Sequence, residues 1–188
     1  MGKKGNLIIL SGPSGVGKST VRRELFNIPD LNLVYSVSMT TRQPRAGEVE
    51  GVDYFFVTKE RFLKAIEDNE LLEHADFVGN CYGTPKAYVD KLLASGKNVI
   101  LEIEVEGAKQ VILRCPDAIS IFILPPSFKD LEDRIRGRRS EPEEILQQRL
   151  KKASYEMCLT NNYKHVIVND SIPSTCNMIA TIIREASK

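Results

Sequence analysis

The chain reads as an α/β fold, a parallel β-sheet with helices on both faces. Three observations predict it. Short apolar runs alternate with helical patterns along the 188 residues. Those runs are rich in Val, Ile and Leu, as strands buried between two helical layers are. The first of them passes through a glycine-rich loop straight into a helix.

In chain order, Leu7–Leu10 is the first strand and Lys18–Phe26 the first helix. Residues 34–82 break the rhythm. They carry shorter, more alternating strands (Tyr54–Val57 and Leu71–Phe77), a helix at Lys59–Asp68 and most of the tyrosines, as an inserted antiparallel piece would. The rhythm then resumes with helix Pro85–Ala94, strand Asn98–Ile103, helix Gly107–Arg114 and strand Ala118–Leu124. Helices Ser127–Gly137 and Pro142–Asn161, strand His165–Val168 and helix Pro173–Ala186 complete it. Pro85, Pro142 and Pro173 suit first-turn positions, where a missing N–H is harmless. Ser127 opens Ser-Phe-Lys-Asp after Pro125-Pro126, a capping-box-like start.

Composition bounds the rest. The chain is 42% hydrophobic and 27% charged, enough apolar material for one buried core. Lys and Arg number 26 against 25 Asp and Glu, for a net charge of +1. That balance gives no support for a nucleic-acid or membrane partner, so any positive site must be local. Cys81, Cys115, Cys158 and Cys176 are scattered, with no C-x-x-C, which fits reduced thiols in the cytoplasm. No stretch approaches the length of a membrane span. A cleaved signal peptide would remove the first strand, and none is expected.

Residues 12–19 read Gly12-Pro13-Ser14-Gly15-Val16-Gly17-Lys18-Ser19, a complete G-x-x-x-x-G-K-S loop. Its glycines let successive backbone N–H groups turn inward with no Cβ in the way. The following helix presents unpaired N–H groups and its positive dipole end. Lys18 is placed to reach the β- and γ-phosphates of a nucleoside triphosphate, and the Ser19 hydroxyl to ligate Mg²⁺. A plain glycine turn is the alternative, disfavoured by the strand and helix on either side.

A second constellation spans Ser38 to Tyr54. Arg42 and Arg45, three apart and stiffened by Pro44, can present two guanidinium forks to one phosphate. Tyr54 and Tyr82 could add neutral donors. On composition alone, a solvated basic loop is an equal reading.

The stretch Ser38–Phe56 reads S-x-T-T-R-x-P-R-x-G-E-x-x-G-x-D-Y-x-F, after an S-G-P-S-G-x-G-K-S-T loop from Ser11 to Thr20. Together they resemble the guanylate kinase family, and the likeness covers essentially the whole chain. It continues through Asn80-Cys81-Tyr82-Gly83-Thr84, Leu101-Glu102-Ile103-Glu104-Val105-Glu106-Gly107, the arginine-rich 134–149 segment and Val168-Asn169-Asp170. The resemblance implies ATP-dependent phosphorylation of GMP or dGMP with Mg²⁺. It implies a single domain with a P-loop core (about 1–33, 84–126 and 155–188), a GMP-binding subdomain of mixed or antiparallel strands (about 34–83) and an arginine-rich helical lid (about 127–154).

Residue by residue, the family places Arg42, Arg45, Tyr54 and Tyr82 on the GMP phosphate and Glu73 on the base. Guanine offers N1–H and N2–H on one edge, which the two oxygens of a carboxylate match, and adenine lacks that edge. Ser38 and Thr84 supply hydroxyls to the base, and Glu104 contacts the nucleotide. Gly12, Pro13, Ser14, Gly15, Val16, Gly17, Lys18, Ser19 and Thr20 cradle ATP, and Ser19 and Glu102 form the metal shell. Lys18, Arg42, Arg134, Arg138 and Arg149 carry catalysis. Asn169 stands where the family contacts adenine, with a satisfied loop asparagine as the alternative. His74 and His165 are expected to be structural.

The chain departs from the family pattern at Glu102 and Glu104, often aspartates, at Glu106, often glutamine, and at Arg139, often glycine. Two rivals stand beside this reading: a phosphopeptide-binding scaffold module, whose nucleotide loops are degraded, and a kinase for another acceptor. A monomer or weak homo-oligomer is expected.

Overall fold

Residues 3–137 and 142–188 are described by a computed structural model. Strand β1 (Leu7–Ser11) leads through the glycine loop into α1 (Lys18–Leu25). Strands β2 (Leu33–Tyr35), β3 (Ser38–Thr40) and β4 (Tyr54–Phe56) precede α2 (Lys59–Glu67). The hairpin of β5 (Leu71–Phe77) and β6 (Asn80–Pro85) leads into α3 (Lys86–Ala94). Then follow β7 (Asn98–Glu102), α4 (Val105–Arg114), β8 (Ile119–Leu124), α5 (Phe128–Arg136), α6 (Glu143–Met157), β9 (His165–Val168) and α7 (Ile172–Ala186).

Five strands form a parallel sheet in the order β2-β7-β1-β8-β9. In β1, Ile8 and Leu10 join a core cluster with residues of α1, α5, α6 and α7, while Leu7 and Ile9 join another with residues of α3 and α4. Alternate side chains of one strand thus enter opposite apolar layers, the period-2 geometry of a sheet covered on both faces.

A second sheet, β4-β3-β6-β5, is mixed: β3 and β4 run parallel, and the other pairs antiparallel. Under it, α2 buries Phe62 and Ala65 against Met39 and Leu71. Its N-cap Thr58 accepts a hydrogen bond from Arg61 N. Ser127 caps α5 in the same way, accepting from Asp130 N, as its sequence predicts.

The elements differ from the sequence expectation at a few points. Strand β2 straddles the start of the stretch expected as an insertion, yet pairs with β7 in the core sheet. The chain therefore passes from one sheet to the other between Tyr35 and Ser38. Strands β3 and β6 carry no apolar run that would announce them, since register with Tyr54–Phe56 and Ala75–Phe77 makes them strands. Helix α4 starts two residues early, at Val105, and α6 stops at Met157 with a 3₁₀ turn at Thr160–Asn162. Pro85 and Pro142 sit at the caps of their helices, one step before the first turn, whereas Pro173 lies inside it.

Candidate active site

The glycine loop leaves β1 beside β8. At Gly12, φ is 147° and an added Cβ would stand 2.4 Å from the Ile123 carbonyl oxygen, so only glycine fits. Gly17 caps α1 in the left-handed region at φ 103°. Lys18 Nζ donates to the loop's own carbonyls, Gly12 O at 2.7 Å and Pro13 O at 3.1 Å. Burial pushes its ammonium pKa below the usual lysine value, against the pull of Glu102, Glu156 and Glu104. Ser19 Oγ donates to Glu102 Oε1 at 2.7 Å, and the other oxygen of Glu102 pairs with Arg22 Nε at 2.7 Å. The two residues expected in a metal shell are in contact.

The loop opens on a cavity of about 310 Å³ that Glu102, Glu104, Lys152 and Glu156 also line. Helix α6 lines it with Lys152 and Glu156 and brings Arg149 to the loop. Arg149 Nη2 donates to Ser14 Oγ at 2.9 Å, Lys152 Nζ pairs with Glu104 Oε2 at 2.7 Å, and Glu156 is buried. From α5, Arg134 Nη1 donates to Val16 O at 3.2 Å. Arg134 and Arg149 thus both touch the loop, while Arg138 and Arg139 lie outside the described residues.

Asn169 is bonded within the protein, as the satisfied-loop alternative describes. Its side chain is buried (2% exposed), Nδ2 donates to Val16 O at 2.8 Å, and Oδ1 accepts from Thr175 Oγ1 at 2.9 Å. Both ends of the carboxamide are committed within the protein. The buried side chain thus braces the phosphate loop against α7.

The other constellation forms on the second sheet. Arg42 Nη2 pairs with Glu48 Oε1 at 2.7 Å, and its guanidinium lies 5.3 Å from the Tyr54 ring centroid. The Tyr54 and Tyr82 rings meet edge-on at 6.0 Å. Glu48 also accepts from Arg45 N at 2.8 Å, so one carboxylate ties both ends of the arginine loop. Arg45 is exposed.

Glu73, on β5, is 7% exposed and accepts a 2.6 Å hydrogen bond from Thr84 Oγ1 on β6. Burial raises its carboxyl pKa, with Thr84 opposing the shift. Ser38 sits on β3 beside Met39, whose backbone registers with Gly83, the neighbour of Thr84. Glu104 stands apart from this group at the N-cap of α4, held by Lys152 on the other cavity's wall. Yet the two sites are close. Three residues along α4 from Glu104, about 5 Å of helix, Gly107 packs against the Glu73 carboxylate.

The guanylate kinase family model matches residues 4–186. The chain belongs to the guanylate kinase family. It is 56% identical over 181 residues to the guanylate kinase of Mycoplasma mycoides subsp. mycoides SC, an alignment covering 96% of this chain and 61% of that one. The chain thus spans about three fifths of that relative's length. Against the guanylate kinase of Streptococcus pyogenes serotype M3, identity is 48% over 183 residues, covering 97% and 87%. The crystal structure of guanylate kinase from Anaplasma phagocytophilum matches with a TM-score of 0.73 at 35% identity, covering 98% of this chain and 87% of that one. The SH3-kinase fragment of tight junction protein 3 matches at TM-score 0.50 and 11% identity, a likeness of fold alone. Fold does not separate an enzyme from a scaffold; the groups on the loops do.

Family membership organises what the sequence reading missed. Glu48 lies within the quoted arginine motif, yet its bridging of Arg42 and Arg45 emerges only when the loop closes. Lys152 and Glu156 follow Arg149 at helical spacings of three and seven, which put them on one face of α6. That spacing was a usable signal for both.

Proposed function

We propose that the chain transfers the γ-phosphoryl group of ATP to GMP, or dGMP, in one in-line step. The observation that carries this reading is the buried Glu73–Thr84 pair. A buried carboxylate bonded at one oxygen by a hydroxyl is an acceptor for the N1–H and N2–H edge of guanine. Adenine would leave that buried group unpaired, at a cost of about 1–3 kcal/mol or more. Arg42, Tyr54 and Tyr82 supply donors for the monophosphate, and Glu48 keeps the Arg45 segment folded beside them.

In the reaction, an oxygen of the GMP phosphate attacks the γ-phosphorus, and the bond to the bridging oxygen of the departing ADP breaks. Charge spreads over the equatorial oxygens, and no covalent enzyme intermediate is needed. Catalysis is then positioning and electrostatics. Lys18 leaves its loop carbonyls for the phosphates, and Arg134 and Arg149 are already docked on the loop that carries them. Ser19 and Glu102 fit Mg²⁺, being hard oxygen donors in contact. Among the described residues no cluster of three or more His, Cys, Asp or Glu could hold a metal alone. That suits an ion taking most of its shell from phosphate and water. When bound, Mg²⁺ would offset charge between the β- and γ-phosphates.

The partners are accordingly small nucleotides, with the chain a monomer or weak homo-oligomer in the cytoplasm. The four cysteines are free thiols, and among the described residues no helix is long and apolar enough to cross a membrane. An intact loop with Lys18, Ser19 and the lid arginines favours the enzyme over a scaffold module. A coupled assay with ATP and GMP tests it directly. Production of ADP and GDP, reduced about 10³-fold or more in Lys18→Ala, supports the reading. Absence of turnover in the unmodified chain overturns it.

A further inference from the structure

Helix α4 meets strand β5 along one face. Gln110 Nε2 donates to His74 O at 2.9 Å, and Gln110 Oε1 accepts from His74 N at 3.1 Å. One turn on, Arg114 Nη1 donates to Leu71 O at 2.8 Å. One turn back lies Gly107, where an added Cβ would stand 2.9 Å from Glu73 Oε2 and 3.5 Å from Glu73 Cδ. Positions 107, 110 and 114 share a face by helical spacing. They grip the strand on either side of Glu73, while Leu72 is buried with Val105 and Ala108. Glu73 is thus rooted on a core helix, although it belongs to the second sheet.

Glycine is a poor helix former, and its φ at 107 lies outside the left-handed region, so the backbone does not call for it. Chain neighbours and the helix's own backbone aside, the three atoms nearest a Cβ at this position all belong to the Glu73 side chain. We propose that Gly107 is a specificity-determining positioning residue, which with Gln110 seats the Glu73 carboxylate so that Oε2 meets the acceptor base. Thr84 pins Oε1. A methyl group at 107 would therefore turn Oε2 about that pinned oxygen, out of the plane that two parallel N–H donors require. The contact also sets the acceptor base at a fixed distance from Glu104 on the donor cavity. The inference rests on the reading that Glu73 binds guanine.

A double-mutant cycle of Gly107→Ala and Glu73→Ala tests it, reading KM for GMP, KM for ATP and the thermal midpoint. Gly107→Ala is expected to raise the GMP KM about tenfold or more, leave the ATP KM unchanged and not lower the midpoint. In the Glu73→Ala background, the same change is expected to add nothing. Independent, additive effects, or equal rises in both KM values, overturn the proposal. So does an unchanged GMP KM in Gly107→Ala. Should that variant not fold, Gln110→Ala decides, raising the GMP KM alone if the seat exists and leaving it unmoved if not. A wild-type GMP KM in Glu73→Ala would instead sink the guanine reading itself, a separate result.

Discussion

Thr84 donates a 2.6 Å hydrogen bond to Glu73 across the β5–β6 hairpin, with both side chains buried. One oxygen of the carboxylate is thereby fixed while burial works against its charge. A group that must be ionised to accept two donors from a base is held where ionisation costs stability. Binding sites built this way trade stability for recognition.

Glu73→Gln should make the nucleotide-free protein more stable at neutral pH. The folded pKa of Glu73 lies above its ordinary value of 4.5. Its contribution is therefore most favourable below that value and declines as pH rises through the folded pKa. The variant's advantage in thermal midpoint should grow as pH rises above 4.5 and level off once Glu73 is ionised in the folded protein, and its stabilisation by added GMP should vanish. A pH-independent difference would contradict the assigned burial cost.

Asn169→Ala removes the brace between Val16 and Thr175. The expected loss is about 1–3 kcal/mol of stability, since two buried hydrogen bonds disappear, one to the Val16 carbonyl and one from the Thr175 hydroxyl. The ATP KM should rise because the loop loosens, and a GTP donor should suffer by the same factor. Selective damage to the adenine nucleotide would restore a base contact at this residue.

Glu48 holds Arg42 by its side chain and Arg45 by its backbone N–H. Glu48→Ala should cut kcat/KM for GMP about tenfold while sparing the ATP KM. Glu48→Gln keeps an acceptor and should lose less. If both variants bind GMP more tightly, Glu48 is a competitor for Arg42 and not its organiser.

The phosphate loop was legible because its chemistry is local: glycine spacing, a strand before it and a helix after it. The core sheet was legible for a similar reason, as Ile8, Leu10, Ile121 and Ile123 announce themselves by composition. Strand β2 was not recognised as a core strand, because three residues without flanking signals take their sheet from a partner, here β7. Asn169 and Gln110 show the other limit. Their roles depend on backbone groups 153 and 36 residues away, and no local pattern encodes such distances. Glu73 was placed by family resemblance, and only the fold supplies its burial and its contact with Gly107.

Steady-state kcat/KM for GMP, dGMP, AMP, UMP and CMP with saturating ATP and Mg²⁺, in the unmodified chain and in Glu73→Gln, tests the central claim most directly. The account predicts turnover of GMP and dGMP, at least about 10²-fold better than of AMP, with that ratio collapsing in Glu73→Gln. Comparable turnover of AMP by the unmodified chain, or a ratio untouched by Glu73→Gln, would contradict it.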